Sequence, residues 1–131
     1  MSSTPSLSDD ALKALVERYF AAVDSKDLAT ALSFFTSDAT FTIATYQTTF
    51  RGRDTEIAGV FERLFGRYDT IFHGNFDHVV AGPDRIACRF EVRNGRAGLP
   101  TIHKNNANFF KLRGAYFDEV FVYMSGDNAL A

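Results

Sequence analysis

The stretch KNNANFF, residues 104–110, sets amide side chains among aromatic ones inside what reads as a long β-strand. Asparagine is depleted in strands, so amides in this position need a reason. Burying such a polar group costs about 1–3 kcal/mol unless it is hydrogen-bonded. Amides on the inward face of this strand would therefore belong either to a satisfied internal network or to a pocket whose polar groups hold a ligand.

The register of the last hairpin decides which side chains accompany these amides. Arg113-Gly114 is predicted to be a two-residue turn, and the turn fixes the pairing of the strands on either side. This register puts three polar residues on the face that is richer in phenylalanine: Asn106, Asn108 and Glu119. A slip of one residue would bring the opposite set inward: His103, Asn105 and Asp118.

Composition limits the partners. A net charge of −2 argues against nucleic acid or an anionic membrane surface, because phosphate binding needs a concentrated basic face. No apolar run approaches the roughly 20 residues of a membrane span, and MSSTPSLSDD lacks the features of a signal peptide. The single Cys88 forms no internal disulfide and suits a reducing compartment, so a cytoplasmic location is expected.

No cofactor or metal is expected. His73 and His78 lie five residues apart on one predicted strand, which places them on opposite faces, and no other His, Asp or Glu cluster suits a closed metal site. The glycines at 95 and 98 lack the strand-to-helix context of a phosphate-binding loop.

Hydrophobic periodicity predicts three helices in the first half of the chain, after a tail at residues 1–6. The first helix spans about 8–24, the second begins at an Asp27 N-cap, and the third runs through residues 57–64 after an Asp54 N-cap. The other segments alternate in the manner of strands: one from Ala39 through Tyr46, then 70–81, 86–92, 101–112 and 115–124.

This order predicts an α+β fold in which helices cover one face of an antiparallel sheet. The outer face of the last hairpin also carries aromatic residues. A sheet that is apolar on both faces commonly buries the second one against another copy, so a homodimer through the outer face is expected.

Four segments carry a resemblance to the nuclear transport factor 2-like superfamily, in its SnoaL-like and scytalone dehydratase-like branches. They are RYFAAVDSKDLATALSFFTSDATF, FRGRDTEI, TIFHGNF and FFKLRGAYFDEVFVYMSG, and the likeness spans residues 8–126 of a single domain at 1–131. The resemblance implies a cone-shaped, strongly curved sheet wrapped around three helices, with a deep pocket at the open end. Members are commonly dimers, and they include isomerases, cyclases, dehydratases and noncatalytic binding modules.

The resemblance also implies site residues. His73 stands where the dehydratase branch has a pocket histidine, Asn106 and Asn108 stand at substrate-holding positions, and Tyr19 falls near a pocket-lining position. The helix carboxylate that orients the histidine in that branch falls nearest to Ala21 here.

The acid on the last strand of SnoaL-type cyclases falls on Phe121, and Glu119 is the residue that could replace it.

Two functions are compatible with these residues. In the first, His73 and Glu119 form an acid–base pair that moves protons on a small, mostly apolar carbonyl compound, while the asparagines with Tyr19 or Tyr46 polarise the carbonyl. In the second, the chain is a ligand-binding or dimerisation module without chemistry, and His73 is a strand residue bonded to backbone.

Overall fold

Three α-helices lie on one side of the protein. They are α1 (Asp9–Asp24), α2 (Leu28–Ser33) and α3 (Ala58–Arg67). The side chain of Ser8 accepts a hydrogen bond from the Ala11 backbone N at 3.1 Å and so caps α1. Asp27 caps α2 in the same way, as predicted, by accepting from Thr30 N at 3.1 Å. The computed structural model describes residues 7–131, so the predicted tail at 1–6 lies outside the described residues.

The third helix begins differently from the prediction. A π-helical segment, Gly52–Ile57, runs directly into α3, and Gly52 opens it with φ = +91°. Asp54 lies inside this segment and pairs with Arg53 at 2.9 Å, so its predicted role as an N-cap is wrong.

The β-strands form one curved, unclosed sheet in the order β2-β1-β6-β5-β4-β3. Their bounds are β1 Phe35–Ile43, β2 Thr48–Arg51, β3 Thr70–Val80, β4 Arg85–Gly95, β5 Ile102–Arg113 and β6 Tyr116–Met124. Neighbouring strands are antiparallel except β1 and β6, which run parallel. The predicted α+β fold with a curved sheet around three helices is confirmed. No helix within residues 7–131 is long and apolar enough to cross a membrane.

Aromatic side chains fill the space between the helices and the sheet. Tyr19 of α1 stands at the centre, with ring centroids 4.9 Å from Phe20, 5.2 Å from Phe117 and 5.6 Å from Phe35. Tyr19, Phe35 and Phe117 are at most 2% exposed. These tilted and edge-to-face contacts hold α1 against the inner face of the sheet.

The last hairpin turns one residue later than predicted. Arg113 pairs with Tyr116, so Gly114-Ala115 forms the turn, with Gly114 at φ = +63°. A bulge follows at Asp118, because Leu112 pairs with Phe117 whereas Lys111 pairs with Glu119.

The extra residue reverses the faces of β6 beyond the bulge. Val120 and Val122 are buried against the helices, whereas Glu119 and Phe121 point outward. Asn106 and Asn108 on β5 keep the predicted inward direction.

A second bulge interrupts β3 just after His73. Gly74 pairs with Glu91 and Asp77 with Arg89, so the residues between them are out of register, and Asn75 has φ = +56°. His73 and His78 therefore face the same side of the sheet, which corrects the expectation of opposite faces. The ring Nε2 of His78 lies 2.9 Å from a carboxylate oxygen of Glu17 and ties β3 to α1.

Candidate functional site

The centre of the candidate site is a histidine–carboxylate pair between β3 and the end of α1. His73 Nδ1 donates to Asp24 Oδ1 at 2.5 Å, since an ionised carboxylate can only accept, and the His73 backbone N donates to Oδ2 at 2.9 Å. Both oxygens of Asp24 thus bind one residue and fix its ring. The fixed tautomer leaves Nε2 as the ring nitrogen that can accept a proton.

Aromatic rings enclose this histidine. The His73 ring stacks on Phe20 with centroids 4.7 Å apart, and Phe90 lies 5.6 Å away. Its side chain is 11% exposed, and it lines an internal cavity. An acid–base group held against apolar walls acts in a medium where charge is poorly screened, which strengthens its interaction with any charge that develops nearby.

Amide groups on β4 and β5 line the same cavity. Asn94 on β4 and Asn106 and Asn108 on β5 all line it, and the amide oxygen of each is buried without a hydrogen-bond partner among the protein atoms described. Buried amide oxygens are normally satisfied. Three such acceptors on one wall call for a donor that occupies the cavity, such as water or a hydroxyl group of a ligand.

The cavity lining also includes a phenol. Tyr19 lines the cavity from α1, and burial raises its pKa above the ordinary value, with smaller contributions from the charges of Cys88 and Asp24. The phenol therefore stays protonated at every physiological pH. A neutral Tyr hydroxyl can donate a hydrogen bond to a carbonyl or enolate oxygen.

The cavity itself is small, with a volume of about 40 Å³. That is room for about three water molecules. Ala129 and Leu130, which follow β6, form part of its wall. A larger organic ligand therefore requires these two residues to move.

Glu119 does not belong to this cavity, and its predicted partnership with His73 is wrong. Its side chain is 39% exposed on the outer face and lies 3.5 Å from Lys111. The bulge at Asp118 is the physical reason, because it shifts Glu119 to the other side of β6.

Tyr46 is also away from the cavity. It lies in a 3₁₀ turn at Ala44–Tyr46, is 43% exposed, and donates its hydroxyl to the Gly126 carbonyl at 2.5 Å.

The alternative set stays outside as well. His103 and Asn105 are exposed on the outer face, and Asp118 accepts a hydrogen bond from Thr36 at 2.9 Å while it pairs with Arg113. Asn106 and Asn108 line the cavity in place of this set.

Sequence reasoning missed Asp24 and Asn94. Asp24 lies one turn beyond Phe20, so it emerges from the same side of α1 as the ring that stacks on His73. Ala21 was taken for this position, three residues too early. Asn94 continues the inward alternation of Phe90 and Val92 on β4, two residues beyond the predicted end of that strand at residue 92.

No group of three or more His, Cys, Asp or Glu side chains within residues 7–131 is arranged to hold a metal ion.

Residues 16–123 match the family model described as SnoaL-like domain. Because this match spans most of the chain, the protein belongs to the SnoaL-like domain family, and the predicted superfamily is confirmed. No curated protein gives a significant match.

Solved structures of the same fold cover nearly the whole chain. A protein of ketosteroid isomerase-like fold from Catenulispora acidiphila DSM 44928, in complex with trimethylamine, is 18% identical with a TM-score of 0.76, and the match covers 88% of each chain. A putative polyketide cyclase from Xanthomonas campestris pv. campestris is 20% identical, with a TM-score of 0.73 over 86% of this chain and 88% of that one. The epoxide hydrolase/cyclase-like enzyme SalBIII, which has a role in pyran ring formation in the polyether salinomycin, is 19% identical, with a TM-score of 0.74. That match covers 89% of this chain and 92% of that one. At these identities the likeness establishes the fold alone.

Proposed function

We propose that the protein is a cofactor-independent acid–base catalyst, a lyase, isomerase or cyclase that acts on a small, mostly apolar carbonyl compound. The observation that carries this proposal is the His73–Asp24 pair, whose histidine lines a cavity that also presents three amide oxygens without protein partners. Two of the structures similar in fold are named a putative polyketide cyclase and an epoxide hydrolase/cyclase-like enzyme, which agrees with this class of reaction.

The proposed chemistry begins with proton transfer. Nε2 of His73 removes a proton from the carbon next to the carbonyl group, and the electron pair of that C–H bond moves onto the carbonyl oxygen to form an enolate. The carboxylate of Asp24 stabilises the imidazolium that results. The phenol of Tyr19 and the amide NH₂ groups of Asn106 and Asn108 can donate hydrogen bonds to the enolate oxygen.

The imidazolium then returns the proton. If the proton goes to a different carbon, the compound is isomerised. If it goes to a leaving hydroxyl group, water is eliminated. If the enolate carbon attacks a second carbonyl group, a ring closes and the proton goes to the new alkoxide. Each route restores neutral His73, so none consumes an oxidant or reductant.

Exchange of enolisable protons tests the proposal without knowledge of the natural substrate. The protein is added to cyclohexanone, 2-indanone and 2-tetralone in D₂O, and the loss of the α-proton signals is followed by NMR. The wild-type protein should accelerate exchange above buffer for at least one ketone. His73→Gln should remove about 10²-fold or more of that acceleration, the usual contribution of a positioned general base.

The matched control is His103→Gln, because His103 is an exposed histidine on the outer face. The His103→Gln variant should accelerate exchange of the ketone α-protons at the wild-type rate. Equal rates for wild type and His73→Gln would refute the proposal.

A second candidate, a noncatalytic ligand-binding module, has one observation in its favour. No carboxylate among residues 7–131 lines the cavity itself, so His73 has no acidic partner there other than the Asp24 behind it. This candidate predicts that a ketone perturbs the NMR signals of the cavity amides while its α-protons do not exchange.

We further propose that the outer sheet face is the contact between two copies of the chain. Phe109, Phe121 and Tyr123 are 50%, 36% and 48% exposed on this face, and the rings of Phe109 and Tyr123 meet edge to face at 5.7 Å. Exposed apolar patches of this kind mark interaction sites. Sedimentation should give a dimer for wild type and for Leu99→Glu, a change in an exposed loop, and a monomer for Phe121→Glu. A monomeric wild-type protein would contradict the proposal.

A further inference from the structure

The segment that follows β6, Ser125–Ala131, is held over the cavity by two cationic side chains. Within this segment Ala129 is 7% exposed, and it lines the cavity together with Leu130. Lys104 holds the segment from β5, and Arg67 holds it from the last turn of α3.

Lys104 is buried to 4% exposure on the cavity wall, which is an unusual environment for a lysine. Its ammonium group donates to the carbonyl oxygen of Ser125 at 3.0 Å and to that of Asp127. Burial lowers the pKa of Lys104, and the charge of Asp127 opposes that shift. The ammonium of Lys104 thus donates its hydrogen bonds to neutral carbonyl groups.

Arg67 makes the same kind of contact. Its guanidinium group donates to the carbonyl oxygens of Ala129 at 2.8 Å and Asn128 at 3.5 Å and to an oxygen of Ala131 at 2.5 Å. Within residues 7–131, neither Arg67 nor Lys104 forms an ion pair with a side-chain carboxylate at 4.0 Å or less. Lys104 is thus the cation on the cavity wall, and Arg67 holds the far end of the segment from outside the cavity.

We propose that Lys104 recognises an acidic group on the ligand, and that the carbonyl oxygens of Ser125 and Asp127 occupy the position of this group in the structure described. The inference rests on the proposed function, since it names the chemical class of ligand for the same cavity. A carboxylate adds the attraction between opposite charges to the hydrogen bond that a neutral carbonyl accepts from the ammonium, and this attraction is strong at a buried site. An acidic ligand can therefore displace the segment where a neutral analogue cannot.

Strand register relates this position to the chemistry. Val92 on β4 pairs with His73 on β3 and with Lys104 on β5. His73 and Lys104 therefore lie at the same level of the sheet, one on each side of Val92. Two strand spacings separate their backbones by about 10 Å. The ligand should accordingly carry its acidic group a few bonds away from the carbon that loses a proton.

Matched acids and amides test the inference. Benzoate, 3-phenylpropionate and cyclohexanecarboxylate are each compared with the primary amide that has the same carbon skeleton. The dissociation constant of each compound is measured from the NMR shifts of the side-chain NH₂ groups of Asn106 and Asn108. In the wild-type protein at least one acid should bind 10-fold or more tightly than its amide. Lys104→Met should remove most of that preference.

The matched control is Lys111→Met, a lysine on the outward face of the same strand. It should keep the wild-type preference. Equal affinity of every acid and its amide in the wild-type protein, no binding of any acid, or a preference that persists in Lys104→Met would overturn the inference. The proposed function is judged separately, by the His73-dependent exchange of neutral ketones.

Discussion

Replacing Asn108 by leucine should leave the protein as stable as the wild type or make it more stable. Asn108 is 3% exposed, and its amide oxygen has no hydrogen-bond partner among the described protein atoms. Leucine has the same number of side-chain heavy atoms, and the adjoining cavity of about 40 Å³ accommodates its larger methyl groups.

The expected change in the free energy of unfolding follows from the groups that the substitution removes. No protein hydrogen bond to the Asn108 oxygen is lost, and a buried acceptor without a partner is replaced by an apolar group, so the free energy of unfolding should change by 0 to about +2 kcal/mol. If instead the amide belonged to a satisfied internal network, its removal would strand its partners and cost about 1–3 kcal/mol. The two interpretations of the buried amides therefore differ in sign.

Urea unfolding followed by far-ultraviolet circular dichroism measures the change, because the chain has no tryptophan for fluorescence. A gain of 1 kcal/mol corresponds to about 3–6 °C in Tm for a chain of this size. Asn105→Leu, at an exposed position on the outward face of the same strand, should stay within about 0.5 kcal/mol of wild type. A loss of 1 kcal/mol or more for Asn108→Leu would show that the amide is part of the core network and would refute the reasoning from unpartnered oxygens.

Further predictions concern the core, the thiol and a helix cap. Phe117→Ala should lower the free energy of unfolding by about 3–5 kcal/mol in urea titrations, because the ring is 0% exposed and packs 4.6 Å from Phe110. Burial raises the pKa of the Cys88 thiol from 9.0 to about 12. The stabilisation that comes from this neutral thiol is complete below pH 9 and is lost as the pH rises toward 12, because only the unfolded chain releases the proton in that range. Over that range the free energy of unfolding of the wild type should fall by up to about 4 kcal/mol more than that of Cys88→Ala. Asp27→Ala should lower the free energy of unfolding in urea titrations, and Asp27→Ser should restore most of the loss, since either polar side chain can accept from Thr30 N at the start of α2.

Periodicity was sufficient to predict the helices and the inward face of β5. Regular alternation placed Asn106 and Asn108 on the cavity side, because β5 runs without a bulge in its pairing with β4. Alternation failed where the backbone inserts an extra residue, as at Asp118, and it put Glu119 on the wrong face. A bulge depends on the local twist of the sheet, and no residue type in DEVFVY specifies it.

The carboxylate partner of His73 could not be predicted from local sequence. Asp24 and His73 are 49 positions apart and meet only because α1 packs across β3. At the end of α1 an aspartate is equally expected as a solvent-exposed residue or a helix-end residue. The angle of the helix on the sheet makes it a hydrogen-bond partner, and that angle is set by packing of the aromatic core.

The order of side chains along β5 limits how a ligand can lie in the cavity. Lys104, Asn106 and Asn108 line the cavity from the inward face of β5, each about 7 Å from the next, and the buried Phe110 follows them, so the inward face changes from cationic to amide to apolar. A ligand whose acidic group lies at Lys104 should place its next polar atoms beside the amides and its apolar body beyond them. His73 lies across the sheet at the level of Lys104, so the proton that it removes belongs to the polar end of the ligand. A compound with its only enolisable carbon at the apolar end should therefore bind without exchange.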